Sequence, residues 1–350
     1  MVNERKTEDR TPRAAGYVQP AEWTPHRTCY SAWPAHEYAW GPALREAQHE
    51  FVHFVRAFVS DPAQEPLTLL VDAEHMSEAR EALSGFGDRV RFECLPYGDV
   101  WLRDTGPVFL KGPSGIATVR FRFNGWGEKF IYLHDAALAT RLAERHVGPA
   151  FAFDFVLEGG AIEVDGAGSC LTTRSCLLNP NRDPNPNERV SEMRLRDAFG
   201  LRQVIWLDRG LENDHTDGHI DNIARFVAKG TVVCMQAHDA DDPNRDTLAA
   251  IETRLRGARD AHGEALKVVM IPSPGRVIAA DGGIAPASYM NFYIGNALVL
   301  MPTFSTRWDE PAREALQALF PDRRVIGCSA RALLEGGGTF HCMTQQEPSA

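Results

Sequence analysis

Five turns of one kind recur along this chain. Each follows an apolar run, turns on an acidic residue or glycine, and leads into another apolar run. They lie at Val100-Trp101-Leu102-Arg103-Asp104-Thr105-Gly106-Pro107, Val156-Leu157-Glu158-Gly159-Gly160-Ala161-Ile162, Asp217-Gly218-His219-Ile220-Asp221, Asp281-Gly282-Gly283-Ile284 and Leu334-Glu335-Gly336-Gly337-Gly338. With Asp104, Glu158, His219, Asp281 and Gly336 as markers, the steps are 54, 61, 62 and 55 residues. Near-constant steps of that size constrain the fold strongly: each is the length of a supersecondary unit, and the units are expected to bring their turns to a common centre.

Between the turns, strand and helix patterns alternate. Residues 42–59 place Ala43, Leu44, Ala47, Phe51, Phe54, Val55 and Phe58 at helical spacing, and Leu67-Thr68-Leu69-Leu70-Val71 reads as a buried strand. A helix over 77–83 and a strand over 89–94 follow. Further on, a Pro/Asn-rich turn precedes a helix at 188–199, and an acidic loop at 239–244 precedes one at 245–263. The class is therefore α/β. No linker divides the chain, so residues 17–350 read as one domain. Residues 1–16, charged and poor in large apolar side chains, read as disordered.

A chain of 350 residues that is 44% apolar can bury a large core. Its formal charge of −10 argues against nucleic acid and anionic membranes as partners and favours a cationic small molecule. No apolar run marks the start and no segment approaches a membrane span, so a cytoplasmic protein without a signal peptide is expected. The seven cysteines are scattered and form no CxxC pair, which disfavours both a disulfide framework and a zinc site. Free thiols are the expectation, with one or two of them doing chemistry.

The repeated turns present Asp104, Glu158, His219, Asp221 and, four residues beyond the last glycine, Cys342. On a strand, residues 219 and 221 would point to one face. Each of these side chains alone is more often a cap or a core residue. Together, one thiol, one imidazole and three carboxylates, with Trp101 beside Asp104, make a pocket that binds a planar cation and attacks it. Carboxylates match the forked N–H donors of a guanidinium, and an aromatic face favours a cation. Other residues have lesser expectations. His341 should point away from Cys342, Arg103 should brace the fold, Cys170 and Cys176 should be core, and Trp126 should be a packed aromatic in preference to a pocket residue. His215 and Asp217 either line the pocket mouth or shape the turn.

Residues 101–107, 157–162, the stretch from Leu171-Thr172-Thr173 to Asn179-Pro180-Asn181-Arg182, residues 216–222, Ala287-Ser288-Tyr289-Met290-Asn291-Phe292-Tyr293 and His341-Cys342-Met343-Thr344-Gln345-Gln346 form a longer pattern. With Pro20-Ala21-Glu22-Trp23 and Trp33-Pro34, it resembles the agmatine deiminase and bacterial peptidyl-arginine deiminase family over roughly residues 19–348. The resemblance implies a single catalytic domain built as a five-bladed α/β propeller of ββαβ-type units about a pseudo-fivefold axis. It also implies roles: Cys342 as nucleophile, His219 as general acid and base, Asp104 and Asp221 as guanidinium clamps, and Glu158 as a carboxylate paired with His219 or the substrate. Trp101, Gly337, Gly338 and Asp217 would complete the substrate contacts. No metal or organic cofactor is required.

The substrate this implies is a cationic guanidine, with agmatine first, converted to N-carbamoylputrescine and ammonia. Thr339 stands where those enzymes commonly have asparagine, and Glu128-Lys129-Phe130 and Glu212-Asn213-Asp214-His215 also depart from the pattern. These differences bear on the substrate's tail rather than on the guanidinium chemistry. Peptidyl-arginine, free arginine or another alkylguanidine are the alternatives, followed by amidino transfer and by non-catalytic guanidine binding. Exposed helices would suit a homo-oligomer.

Overall fold

The computed structural model describes residues 11–350. Of the segment read as disordered, residues 1–10 lie outside the described residues. Residues 11–16 instead form turns anchored by the Arg13 N–H to the Asp197 carbonyl at 3.1 Å, because Pro12 is buried against the body of the protein.

Five small mixed sheets carry the strands. His26–Ala32 lies between Leu67–Val71, parallel to it, and Gln345–Pro348, antiparallel to it, with Val90–Cys94 parallel at the far edge. The other four share one plan: a short edge strand, an antiparallel central strand, then a parallel outer strand. They are Val108–Gly112, Gly115–Arg122 and Ala150–Val156; Glu163–Val164, Ser169–Thr173 and Gln203–Leu207; Ala224–Ala228, Thr231–Gln236 and Lys267–Pro272; and Tyr293–Ile294, Leu298–Thr303 and Arg324–Ser329. Parallel neighbours need a crossover. In each sheet a helix supplies it: Leu44–Phe58, Asp135–Arg145, Glu188–Phe199, Arg245–Arg256 or Asp309–Gln317. In the first sheet the antiparallel edge comes from the opposite end of the chain.

The helices form where apolar spacing allows them to pack. Leu44–Phe58 buries Ala47, Phe51, Phe54, Val55 and Phe58. Glu188–Phe199 starts where the Asn187 side chain accepts the Val190 N–H at 3.1 Å and stops at Gly200, at φ 70°. The helix expected over 245–263 ends at Arg256. Beyond it, Asp260 Oδ1 accepts the backbone N–H groups of His262 and Glu264 and holds a turn. Among the described residues no helix is long and apolar enough to cross a membrane.

One marker of the repeat is corrected. Asp281 tips an exposed excursion between Pro272 and Tyr293, closed by the Ala279 N–H to Gly283 O bond at 2.9 Å. Its glycines serve that surface turn. The segment preceding the edge strand Tyr293–Ile294, as residues 104, 158 and 219 precede theirs, is 288–292, and it contains Asn291.

Candidate active site

The last turn reaches Cys342 by a path that only glycine permits. A methyl group at residue 336 would lie 2.6 Å from the Trp40 ring, and one at residue 338 would lie 2.8 Å from the Trp101 ring and 2.9 Å from Cys342 Cβ. Gly337 between them takes φ 108°. The backbone thus slides between two indoles and the thiol. Both indoles are fixed by one carboxylate: Asp99 accepts from Trp40 Nε1 at 3.0 Å and from Trp101 Nε1 at 2.8 Å.

Cys342 faces a cavity of about 100 Å³ that Trp101, Asp104, Trp126, Gly337 and Gly338 also line. Of the two readings of Trp126, packed aromatic or pocket residue, the less favoured one holds: it reaches the site, since its Nε1 donates to Asp104 Oδ2 at 2.8 Å. The other oxygen of Asp104 accepts the Gly160 N–H at 2.9 Å. Glycine at 160 is obligatory: a methyl there would meet His219 Nδ1 at 2.6 Å, Asp104 Oδ1 at 2.9 Å and Asp221 Oδ2 at 3.1 Å. Three of the expected side chains therefore converge on one backbone atom. His219 and Asp221 do so from a 3₁₀ turn at Ile220–Asn222 instead of the anticipated strand.

Asp221 Oδ2 lies 3.7 Å from Cys342 Sγ and 2.7 Å from His341 Nδ1. His341 Nε2 continues to Glu22 Oε2 at 2.8 Å, and Glu22 pairs with Arg225 at 2.6 Å, so a buried chain of charge holds Asp221 from behind. His341 thus points away from the thiol, as expected. Arg103 braces the C-terminal segment by donating to Gln345 Oε1 at 3.1 Å.

His219 is fully buried. Its Nδ1 is 3.8 Å from Asp104 Oδ2, and neither ring nitrogen has a hydrogen-bond partner. One Glu158 oxygen and Cys176 Sγ cluster with an imidazole nitrogen of His219, all within 4.8 Å of one another. Cys176 is buried as expected but belongs to the surroundings of this imidazole. Glu158 is held by Arg182 Nε at 2.9 Å. Asp217 differs from its expected place on the substrate. It lies off the cavity with its carboxylate engaged by Lys129 at 2.6 Å, by Asn181 at 3.0 Å and by Arg182, because the turn spends this charge on neighbouring cations. His215 does line the cavity, on its exposed side.

Asn291 completes the set. Its Oδ1 accepts from Thr339 Oγ1 at 2.8 Å, from the His341 N–H at 3.0 Å and from the Cys342 N–H at 3.2 Å, which fixes which way the amide faces. Its Nδ2 is left to donate to Asn222 Oδ1 and to Cys342 Sγ, each at 3.0 Å. Asn291, Trp126, Arg182 and Glu22 were not assigned chemistry from sequence, although Asn291, Arg182 and Glu22 each sit inside a motif already noted there. Nothing in an amide, an indole or an ion pair distinguishes it before its neighbours are known.

Electrostatics divide the groups. Burial, then Asp221 and Asp104, push the Cys342 thiol well above its ordinary range; the Thr339 backbone and the Asn291 amide offset this only in part. Burial would make the His219 imidazole less basic, but Asp104, with Cys176 and Glu158, holds it well above its usual value. Burial raises Asp104. It would raise Asp221 too, yet His341, His219 and Arg225 bring that carboxylate below its usual range. At neutral pH the site thus presents a protonated thiol, an imidazolium and a carboxylate at Asp221, around a space sized for a small planar cation.

Residues 18–348 match the family described as Porphyromonas-type peptidyl-arginine deiminase. The chain is 37% identical over 363 residues to the agmatine deiminase of Pseudomonas aeruginosa, covering 97% of each. The same figures hold for the agmatine deiminase of Stutzerimonas stutzeri. Among solved structures, the Enterococcus faecalis agmatine deiminase superposes with a TM-score of 0.91 at 30% identity, over 97% of this chain and 98% of that one. A C. jejuni agmatine deiminase with substrate bound gives 0.85 at 27%, over 95% and 96%.

Proposed function

This chain belongs to the Porphyromonas-type peptidyl-arginine deiminase family, and from that premise we propose that it hydrolyses agmatine to N-carbamoylputrescine and ammonia through a covalent intermediate on Cys342. It is a hydrolase acting on C–N bonds. One observation carries the choice of substrate. Among the described residues lining the cavity there is no arginine or lysine, whereas Asp99 and Glu335 accompany the Asp104 carboxylate. A free-arginine enzyme would need a cation for the α-carboxylate; agmatine ends in an ammonium, which acidic and aromatic groups suit.

The steps follow from the residues. The guanidinium enters between Asp104 and Asp221, which take its N–H groups, with its planar face on Trp101. Its positive charge cancels the two carboxylates that oppose a thiolate, so Cys342 gives its proton to solvent and Sγ attacks the guanidinium carbon. His219, held protonated by Asp104, passes its proton to one nitrogen, and ammonia leaves as the C–N bond breaks. The carbon stays bonded to sulfur as an amidino thioether. The now neutral imidazole takes a proton from water, whose oxygen adds to that carbon. The C–S bond breaks, the adduct's O–H proton is lost to solvent so that the product carries a neutral ureido group, and the returning thiolate regains a proton from solvent as the product leaves. Asn291 donates to Sγ in both thiolate forms, and Gly337 and Gly338 leave room for the substrate beside the thiol.

Four three-stranded sheets of one plan, and a fifth that repeats it with an added parallel strand and an edge from the far end of the chain, support reading residues 17–350 as a single five-bladed α/β propeller with this site at its axis. The cysteines are all free, which suits the reducing cytoplasm. Ammonia release over agmatine, arginine, arginyl peptides and other alkylguanidines tests the assignment. Agmatine should show the highest kcat/KM, and Cys342→Ala should show no turnover. Preference for arginyl peptides would overturn the substrate, and ammonia release by Cys342→Ala would overturn the mechanism.

A further inference from the structure

Away from the catalytic residues, His36, Asp72, Glu74 and His75 each offer one ligating atom, and these four atoms lie within 4.8 Å of one another. They come from two short segments, one just after the first strand and one just after Leu67–Val71. His36 Nε2 is 2.9 Å from Asp72 Oδ2 and 3.3 Å from the Tyr97 carbonyl, two acceptors for a nitrogen that carries at most one proton. The His75 ring stands edge-on to that of His36, with centroids 5.4 Å apart. Its Nδ1 makes no hydrogen bond and lies 3.9 Å from Glu74 Oε1. A buried ring nitrogen without a hydrogen bond, facing a carboxylate at that distance, asks for an explanation such as a shared ion.

We propose that His36, Asp72, Glu74 and His75 bind a divalent transition-metal ion of the Zn²⁺ type. Two imidazoles favour zinc over the hard cations, which take oxygen ligands, and the absence of a thiol from the set disfavours the softer Cu(I). Two carboxylates balance the ion's charge. Both histidines bind as neutral rings, so the proton shared between His36 and Asp72 leaves on binding. Neither a CxxC pair nor a His-rich motif marks a zinc site along the chain; these two histidines and two carboxylates come together only in the fold. The location has a consequence for the protein. His36 directly precedes the helical turn Glu37–Trp40, whose last residue walls Gly336, and Tyr132 lines both the catalytic cavity and a surface cleft that His36, Asp72 and Glu74 border. A bound ion ties that turn to the 72–75 segment.

The test is titration of the metal-free full-length protein with Zn²⁺ by calorimetry, together with Co²⁺ absorption spectra and melting curves. One equivalent of Zn²⁺ should bind and raise the melting midpoint. Co²⁺ should give d–d bands without a thiolate charge-transfer band. His75→Gln and Asp72→Asn should each weaken binding by at least about tenfold and abolish the thermal shift, while metal-free ammonia release from agmatine stays as in the parent. That unchanged activity shows the variants are folded. Absence of binding, equal affinity in both variants, or a thiolate band placing the ion at Cys342 or Cys176 would overturn the proposal. The calorimetric, spectral and melting readouts do not depend on which guanidine is the substrate; only the activity control rests on the proposed function, and the melting midpoint of the metal-free variants replaces it if agmatine is not turned over.

Discussion

Asn291 sets where the sulfur of Cys342 sits and how readily it ionises. Three donors converge on its Oδ1, so its Nδ2 has no choice but to face Sγ. Two substitutions separate its roles. Asn291→Asp keeps the acceptor for those three donors but replaces the donor to sulfur with negative charge; the pH midpoint of Cys342 alkylation should rise, and kcat should fall on the order of 10²–10³-fold, the usual cost of one such donor. Asn291→Ala should lose activity similarly and melt lower as well, since it strands the buried donors. Because burial and two carboxylates already hold the free thiol high, the parent's midpoint should lie above the ordinary thiol range and drop when a non-reactive guanidinium ligand is bound. Unmoved midpoints in Asn291→Asp would mean the contact does not govern the thiolate. The groups proposed to react, Cys342, His219, Asp104, Asp221 and Glu158, could be singled out in sequence because titratable side chains stood at or near the recurrent turns, and the fold brings them close together. Asn291 was not, since an amide has no chemical signature until a sulfur is found 3.0 Å away.

The elements that carry these residues were legible in proportion to how local their causes are. Leu67–Val71 and Glu188–Phe199 lie where apolar spacing and turn residues put them. The overlong helix at 245–263 and the misplaced turn at Asp281 both failed where a surface loop imitates a pattern with different partners. The helix Asp135–Arg145 shows an effect that no periodicity carries. Its first residue accepts the Gly98 N–H through Oδ1 at 2.7 Å, while Oδ2 is buried without a partner. Burial, despite the Gly98 N–H and reinforced by nearby Asp99, pushes Asp135 up to about 7; burial likewise raises Asp99 to about 6. Raised carboxylates hold protons in the folded state at a pH where the unfolded chain has lost them. Their contribution is therefore most favourable below about 4 and is lost as pH rises towards about 7. Asp135→Asn removes one of these ionisations and keeps the acceptor. Denaturant unfolding at pH 5 and pH 8 should show the parent losing more stability than the variant, by on the order of 1 kcal/mol or more. Equal losses in the two proteins would show that Asp135 is not ionised at a cost.

At the scale of the whole molecule, the first and last strands meet. Gln345–Pro348 pairs antiparallel with His26–Ala32, the Ser31 hydroxyl donates to the Met343 carbonyl at 2.9 Å, and Arg103 crosses to Gln345. The recurrent turns implied units around a centre. That the final strand should close on the first unit follows from its being last in that order, although a four-residue strand of Gln, Gln, Glu and Pro has no apolar alternation to mark it. Closure makes the site depend on residues that touch no substrate. A chain ending at Thr344 keeps every side chain assigned to chemistry, yet it opens the edge of the first sheet. It also removes the acceptor that orients Arg103, whose backbone N–H holds the Cys342 carbonyl at 3.0 Å. Such a truncation should melt well below the parent and lose most of its ammonia release. Adding the missing hexapeptide in trans should restore part of both, since the vacant edge still offers its backbone groups to a matching strand. A truncated protein with the parent's melting point would refute the closure, and one that melts low while keeping full turnover would detach the site from it.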